Sequence, residues 1–115
     1  MNRKRSAKAT GPQRAGEMTP NKKLTNLIRG RTIQEFWSDV SGLSVGFSDG
    51  SVLFVKGKEA TDQRLKEGST IASIFEQGNA FVIACEDQSR LSLELAESGS
   101  SVSVRESDGK VEYLG

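Results

Sequence analysis

Carboxylates are the side chains of this sequence that come closest to catalytic chemistry. The chain has no histidine, so the commonest general base and the commonest neutral metal ligand are both missing. Asp49, Asp87 and Asp108 each follow a strand-like run, where aspartate commonly forms turns, and Glu35 and Asp39 lie on either side of an aromatic pair. We interpret the first three as turn formers and the other two as solvated. The sequence therefore predicts no catalytic residue, no metal ligand and no cofactor.

Cys85 is the single thiol of the chain. It follows Ile83 in an apolar alternation, and no second cysteine or histidine offers the spacing of a metal site or a redox pair. We predict that it is a small buried hydrophobic residue. A lone cysteine fits a reducing compartment, and the sequence shows neither a transmembrane run nor the apolar segment of a secretory signal. The predicted location is cytoplasmic.

Basic residues are concentrated at the start of the chain. Residues 1–31 contain nine Lys or Arg and one acid, a net charge of +8, whereas residues 32–115 contain seven basic and fourteen acidic residues, a net charge of −7. Such an arm would contact the phosphates of DNA or RNA without sequence preference, and the alternative is a charged tail that serves solubility. The possible nucleic-acid contacts are Arg3, Lys4, Arg5, Lys8, Arg14, Lys22, Lys23 and Arg29.

Two regions of different composition define the expected domains. Residues 1–23 contain too few large apolar side chains to offset the entropy of ordering, so we expect a disordered basic arm. A short helix follows, because Leu24, Leu27 and Ile28 share one face, with Thr19 or Asn21 as its cap. The remaining chain, 24–115, is predicted to be one β domain.

The dipeptide Asp49-Gly50 lies between two apolar alternations and is the strongest local signal. It predicts a β-hairpin with a two-residue type I′ turn, in which both central residues have positive φ. The dipeptide Asp108-Gly109 predicts another such hairpin, with Arg105 opposite Glu112 as a cross-strand ion pair.

The third hairpin is expected to differ from these two. Its turn, Asp87-Gln88, lacks the glycine, and the apolar pattern favours a three-residue loop over 87–89. In that register Cys85 faces Leu91 and Ile83 faces Leu93.

Eight short strands at even spacing predict an all-β barrel or sandwich. Their expected ranges are 31–38, 43–48, 51–57, 69–76, 80–86, 90–96, 101–106 and 110–114. A shift of 38 positions aligns residues 30–33 with residues 68–71 and continues without a gap to Val55 on Leu93. This predicts an internal repeat with units of about 24–57 and 62–95, a closing hairpin over 101–114 and a second short helix over 61–67. The aromatic residues Phe36, Trp37 and Phe75 fit the repeated core pattern.

The closing segment carries a resemblance to a known group of proteins. With Ser100-Ser101-Val102-Ser103-Val104-Arg105 and Asp108-Gly109-Lys110-Val111-Glu112-Tyr113, the chain resembles small bacterial β-rich proteins of unassigned function with Asp-Gly-Ser hairpins and a similar ending. The resemblance covers about residues 30–113. It implies a small bacterial β-protein and transfers no catalytic or binding residue.

These features favour a non-enzymatic binding module whose partner is a protein, with the exposed edges of the first and last strands as the expected contact sites. The alternative is a nucleic-acid-associated protein that uses the basic arm for phosphate contacts. No membrane association is expected.

Overall fold

The computed structural model describes residues 18–115, which form two antiparallel sheets and one helix. The elements are β1 (Thr19–Pro20), α1 (Lys22–Ile28), β2 (Ile33–Asp39), β3 (Gly42–Phe47), β4 (Val52–Lys56), β5 (Asp62–Gln63), β6 (Ile71–Gln77), β7 (Ala80–Cys85), β8 (Arg90–Glu94), β9 (Val102–Arg105) and β10 (Val111–Leu114). Sheet I has the strand order β1-β6-β7-β8-β5, and sheet II has the order β10-β9-β4-β3-β2. The all-β class is confirmed, and the arrangement is a sandwich.

Alternating side chains place the core between the two sheets. In β4, Leu53 and Val55 are fully buried, whereas Val52, Phe54 and Lys56 on the opposite face are exposed. Each large apolar side chain that is buried in this way contributes about 1.5–3 kcal/mol to stability. No helix among residues 18–115 is long and apolar enough to span a membrane.

Helix α1 packs against β6 and closes part of the core. Asn21 is its N-cap, with Oδ1 accepting a hydrogen bond from the Leu24 N–H at 3.0 Å, and Leu24 and Ile28 are fully buried. Thr25 Oγ1 accepts a hydrogen bond from the Ile74 N–H at 2.9 Å, which joins the helix to β6. Residues 19–23, expected in the disordered arm, therefore belong to β1, the cap and α1. The rest of the predicted arm, 1–17, lies outside the described residues.

The second predicted helix, over 61–67, is wrong. Asp62 and Gln63 form β5, which pairs with Ser92 and Leu91 of β8, and the Thr61 N–H donates to the Ser92 carbonyl at 2.9 Å. Pairing along β8 satisfies backbone groups that a helix would leave at an open sheet edge, and this outweighs the helical spacing of a few residues.

All three hairpins have the same three-residue loop, so both the type I′ turn and the expected difference of the middle hairpin are wrong. The loops are closed by hydrogen bonds from Phe47 N to Ser51 O, from Cys85 N to Ser89 O and from Glu106 N to Lys110 O, at 2.9, 2.9 and 2.8 Å. The third loop residue has positive φ in each case: Gly50 at 89°, Gln88 at 76° and Gly109 at 92°. This is the three-residue hairpin loop in which a turn is followed by a left-handed residue.

Two predicted registers are also corrected. In the middle hairpin Ile83 pairs with Leu91, two positions away from the expected register. Arg105 pairs with Val111 instead of Glu112, because the Asp108-Gly109 hairpin has a three-residue loop instead of the two-residue turn on which the predicted pairing rested.

The strand bounds follow an offset of 38 residues. Strands β6, β7 and β8 begin and end 38 positions after β2, β3 and β4. Two isolated bridges also pair residues that are 38 apart, Thr32 with Thr70 and Gly57 with Leu95. The internal repeat stays a prediction.

Candidate functional site

The outer face of sheet II carries most of the exposed large hydrophobic side chains in the described part of the chain. Six large hydrophobic side chains among residues 18–115 are exposed, and five of them lie on this face; the sixth, Val40, lies in the β2–β3 turn. The five are Trp37, Val52, Phe54, Val111 and Leu114. We call this surface the Trp37 face. Exposed apolar side chains that are concentrated on one face commonly mark a binding site.

A bulge in β2 places Trp37 on this face. The β2–β3 register shifts between Ile33 and Glu35, so that Ile33 and Phe36 point toward the core and Trp37 points away from it. Trp37 is 55% exposed, so the expectation that it belongs to the core is wrong. Phe36 is partly buried against the core. Phe75 is also partly buried, but it pairs with Val82 on the outer face of sheet I, so the expectation that it belongs to the core is wrong as well.

One row of side chains crosses the Trp37 face from edge to edge. Trp37 pairs with Ser44, Ser44 with Phe54, Phe54 with Ser103 and Ser103 with Leu114. Neighbouring strands are about 4.8 Å apart, so each serine leaves a gap between two large side chains.

Ser103 forms the floor of a groove with a volume of about 410 Å³. Phe54 and Leu114 lie on its two sides, and Lys56 and Arg105 line it as well. The described lining contains two cationic residues and no acidic one, although residues 32–115 have twice as many acids as bases. The full lining is Val52, Phe54, Lys56, Ser100, Ser101, Val102, Ser103, Arg105 and Leu114.

The opposite side of the Trp37 face is acidic. Glu35 pairs with Gly46 and Asp39 with Gly42 across the β2–β3 ladder. The Glu35 side chain lies over Gly46, where a Cβ atom would come within 3.3 Å of Glu35 Cγ. The face therefore has carboxylates on β2 and cations on β4 and β9.

Arg31 forms a shielded ion pair at one end of sheet II. Its two terminal nitrogens donate to the Glu112 carboxylate at 3.0 and 3.1 Å, and Nη1 also donates to Ser51 Oγ at 2.9 Å. The side chains of Arg31 and Glu112 are 18% and 16% exposed. The hydrogen bonds to Glu112 raise the pKa of Arg31. This pair joins β10 to the segment just before β2.

The turn aspartates are held by serines two residues later. Asp49 Oδ1 accepts hydrogen bonds from the backbone and hydroxyl of Ser51, and Asp87 Oδ1 accepts the same pair from Ser89. Asp87 also accepts a bond from the Ser69 hydroxyl at 2.7 Å. The hydroxyls of Ser89 and Ser69 lower the pKa of Asp87 to about 2, and the Ser51 hydroxyl lowers that of Asp49. These contacts give both aspartates a structural role in the turns.

Cys85 lies in the core at 6% exposure, as a small hydrophobic residue would. Burial raises the pKa of its thiol, which disfavours the reactive thiolate. No group of three or more His, Cys, Asp or Glu side chains that could hold a metal occurs in residues 18–115.

The predicted nucleic-acid contacts divide into two groups. Lys22, Lys23 and Arg29 are exposed at the two ends of α1. The Lys23 ammonium lies 5.9 Å from the centre of the Tyr113 ring, and Arg29 donates to Asn26 Oδ1 at 2.8 Å. The other five, in residues 1–17, lie outside the described part of the chain: Arg3, Lys4, Arg5, Lys8 and Arg14.

Comparisons with protein-family models, with curated proteins and with solved structures found no match.

Proposed function

We propose that the chain is a non-enzymatic binding module that contacts another protein through the Trp37 face. The observation that carries this proposal is the concentration on one sheet face of five of the six large hydrophobic side chains that are exposed among residues 18–115. Protein interfaces are enriched in aromatic residues and Arg at their centres and are depleted of acids there. Trp37, Phe54 and Arg105 provide this composition.

The proposal of a non-enzymatic role is supported by the chemistry of the ionisable groups. The chain has no histidine, and Asp39, Asp49 and Asp87 are occupied by hydrogen bonds to turn serines. A general base needs a carboxylate whose lone pairs and pKa are available to a substrate.

Nucleic-acid binding is the second candidate, and one observation favours it. Trp37 and Phe54 are exposed on the same face as Lys56 and Arg105, which is the combination of stacking rings and cations that single-strand binders use. The aliphatic side chains of Val52, Val111 and Leu114 offer no stacking surface for bases. Protein binding is therefore the better-supported function.

Site-specific photo-crosslinking tests the first proposal. A benzophenone amino acid replaces Phe54 in one full-length variant and Glu94 in a matched variant; Glu94 is exposed on the outer face of sheet I. Irradiation in bacterial cells is expected to give protein adducts from position 54 that are absent from position 94. Equal adducts from both positions, or none from position 54, would contradict the proposal.

A further inference from the structure

We propose that the Trp37 face binds a second copy of this chain, forming a two-fold symmetric dimer in which Trp37 of each protomer enters the groove of the other. This inference rests on the proposed function and specifies the partner. In such a dimer the same face serves both protomers, so the face must be complementary to itself.

The shape of the central row is self-complementary. Along β2, β3, β4 and β9 the row reads Trp37, Ser44, Phe54 and Ser103, an alternation of large and small side chains. A two-fold axis that runs parallel to the strands, between β3 and β4, reverses the strand order in the second copy. It places Trp37 over Ser103 of the other protomer and Phe54 over Ser44. Trp37 and Phe54 then each meet a serine gap at the spacing of about 10 Å that packed sheets adopt, whereas Leu114, on the edge strand β10, lies beyond β2 of the other protomer.

The groove and the protruding ring match in position. Trp37 is 55% exposed, and the groove of about 410 Å³ over Ser103 exceeds the volume of one indole side chain. Phe54 and Leu114 would contact the two sides of the ring. Burial of aromatic surface at the centre of an interface is the usual source of its binding energy.

The next row of side chains on the Trp37 face is self-complementary in charge about the same two-fold axis. Glu35, Gly46, Val52 and Arg105 follow one another across the strands, so the axis places Glu35 of each protomer opposite Arg105 of the other. Two ion pairs form at symmetric positions. The chain has a formal net charge of +1, so two copies repel each other little. A nucleic acid would instead meet the carboxylates of Glu35 and Asp39 on this face.

Charge reversal at Glu35 and Arg105 tests the dimer. Sedimentation equilibrium of the full chain, over about 1 µM to about 1 mM, gives the dissociation constant. Glu35→Arg and Arg105→Glu are each expected to raise it by about tenfold or more, because like charges then meet across the axis. The double variant is expected to return it to within about threefold of the original value. A chain that stays monomeric throughout, or a double variant as weak as the singles, would overturn the proposal.

Two further variants control for shape and for folding. Ser103→Phe fills the groove and is expected to abolish the dimer. Val40→Ser removes an apolar side chain that is 83% exposed in the turn beside the Trp37 face, and it is expected to leave the dimer intact. Equal effects of Ser103→Phe and Val40→Ser on the dissociation constant of the dimer would overturn the proposal. Circular dichroism verifies the fold of each variant.

The outcome also separates this inference from the proposed function. Position-54 adducts with other proteins, from a chain that is monomeric when purified, would keep the proposed function and reject the dimer. Trp37 is the single tryptophan of the chain, so its fluorescence emission reports directly whether the Trp37 face is occupied. A shift of this emission by a labelled thymidine oligonucleotide, with no concentration-dependent shift in the protein alone, would assign the face to nucleic acid and reject both.

Discussion

Gln88 is the one residue in the described chain that has positive φ without being glycine, at 76°. A residue with a side chain costs about 1–2 kcal/mol in this left-handed backbone conformation relative to the right-handed one, and glycine avoids most of that cost. Gln88→Gly is therefore expected to raise the free energy of unfolding by about 1 kcal/mol. Urea denaturation of the two chains measures this difference.

Gly109 provides the matched control, because it has the same place in its own loop. Its φ is 92°, and a Cβ atom there would meet no atom within 4 Å. Gly109→Ala is expected to lower the free energy of unfolding by about 1 kcal/mol through backbone strain alone. A Gln88→Gly variant that is less stable than the original chain would contradict the account of this loop.

Asp87 is expected to make stability depend on acid pH. Its pKa is about 2 in the folded chain, below its ordinary value, because Ser89 and Ser69 donate to the ionised carboxylate. The stabilisation is fully present above the ordinary pKa of about 4 and is lost as the pH falls through about 2. Ser69→Ala removes one donor, and the pKa of Asp87, followed by carbon NMR titration, is expected to rise. Asp49, which Ser69 does not contact, should keep its titration midpoint; a shift at Asp49 alone would contradict the assignment.

The sequence could not predict the orientation of Trp37. Phe36 and Trp37 are adjacent aromatics, and alternation alone fixes only that they lie on opposite faces. Which one is buried depends on the bulge after Ile33, because one extra residue exchanges the two faces for the rest of the strand. No residue type near Gln34 marks a bulge. The exposure of Trp37 could therefore not be predicted from the sequence, whereas the burial of Cys85 followed from a regular alternation.

The Arg31–Glu112 pair connects elements that are distant in the chain. Both side chains are largely shielded from solvent, and Glu112 accepts two hydrogen bonds from the guanidinium. Glu112→Gln removes the carboxylate that accepts both of these hydrogen bonds and leaves Arg31 only the more distant Asp49, at 3.8 Å, so we expect a loss of about 1–3 kcal/mol in the free energy of unfolding. Thermal and urea denaturation at neutral pH measure this loss.

The exposed pair of Lys58 and Glu94 is the matched control for that prediction. Its nitrogen and oxygen atoms are 3.6 Å apart, and the side chains are 75% and 51% exposed. Glu94→Gln is expected to change stability by less than about 0.5 kcal/mol, because solvent screens such pairs. Similar losses at Glu112 and Glu94 would mean that the shielded pair does not stabilise the junction of β10 with β2.

In the middle hairpin, alternation was enough to predict which residues face the core, but not which residues pair across the hairpin. The middle hairpin pairs Ile83 with Leu91 instead of Leu93, a slip of two positions, which leaves the same side chains facing the core. In the first hairpin, residues 52–55 are all apolar, so periodicity does not choose between Leu53 and Phe54 as inward residues. An Asp-Gly dipeptide fits both two-residue and three-residue loops, and only the backbone distinguishes them.

At the scale of the molecule, the folded part begins at Thr19, ahead of both the predicted boundary at residue 24 and the change in charge at residue 31. The change from basic to acidic composition falls at residue 31, yet Leu24 and Ile28 are fully buried and Asn21 caps α1. Charge marks where a chain contacts solvent or a partner, whereas burial marks where the fold begins. A basic residue such as Lys22 can therefore belong to the folded domain.

Two shortened chains test this boundary. A chain that starts at Met18 retains β1 and α1, so it is expected to keep the melting temperature of the full chain. A chain that starts at Thr32 lacks Leu24 and Ile28, and each buried side chain of this size contributes about 1.5–3 kcal/mol. Since domains of this size have about 5–15 kcal/mol of stability, we expect it to be largely unfolded by circular dichroism. A folded chain from Thr32 would show that α1 is dispensable to the core.

The chain that starts at Met18 also isolates the contribution of the basic arm to nucleic-acid binding. If residues such as Arg3 and Arg14 contact phosphates, the full chain should bind a labelled thymidine oligonucleotide at about 50 mM salt and lose at least tenfold in affinity at about 200 mM. The chain from Met18 retains Lys22, Lys23 and Arg29, so any remaining affinity measures α1 and the sheets alone. Fluorescence anisotropy measures the affinity of each chain for the oligonucleotide. Equal affinities of the two chains would remove the arm from the binding site, because five cations that contact phosphates cannot be deleted without weakening a salt-dependent complex.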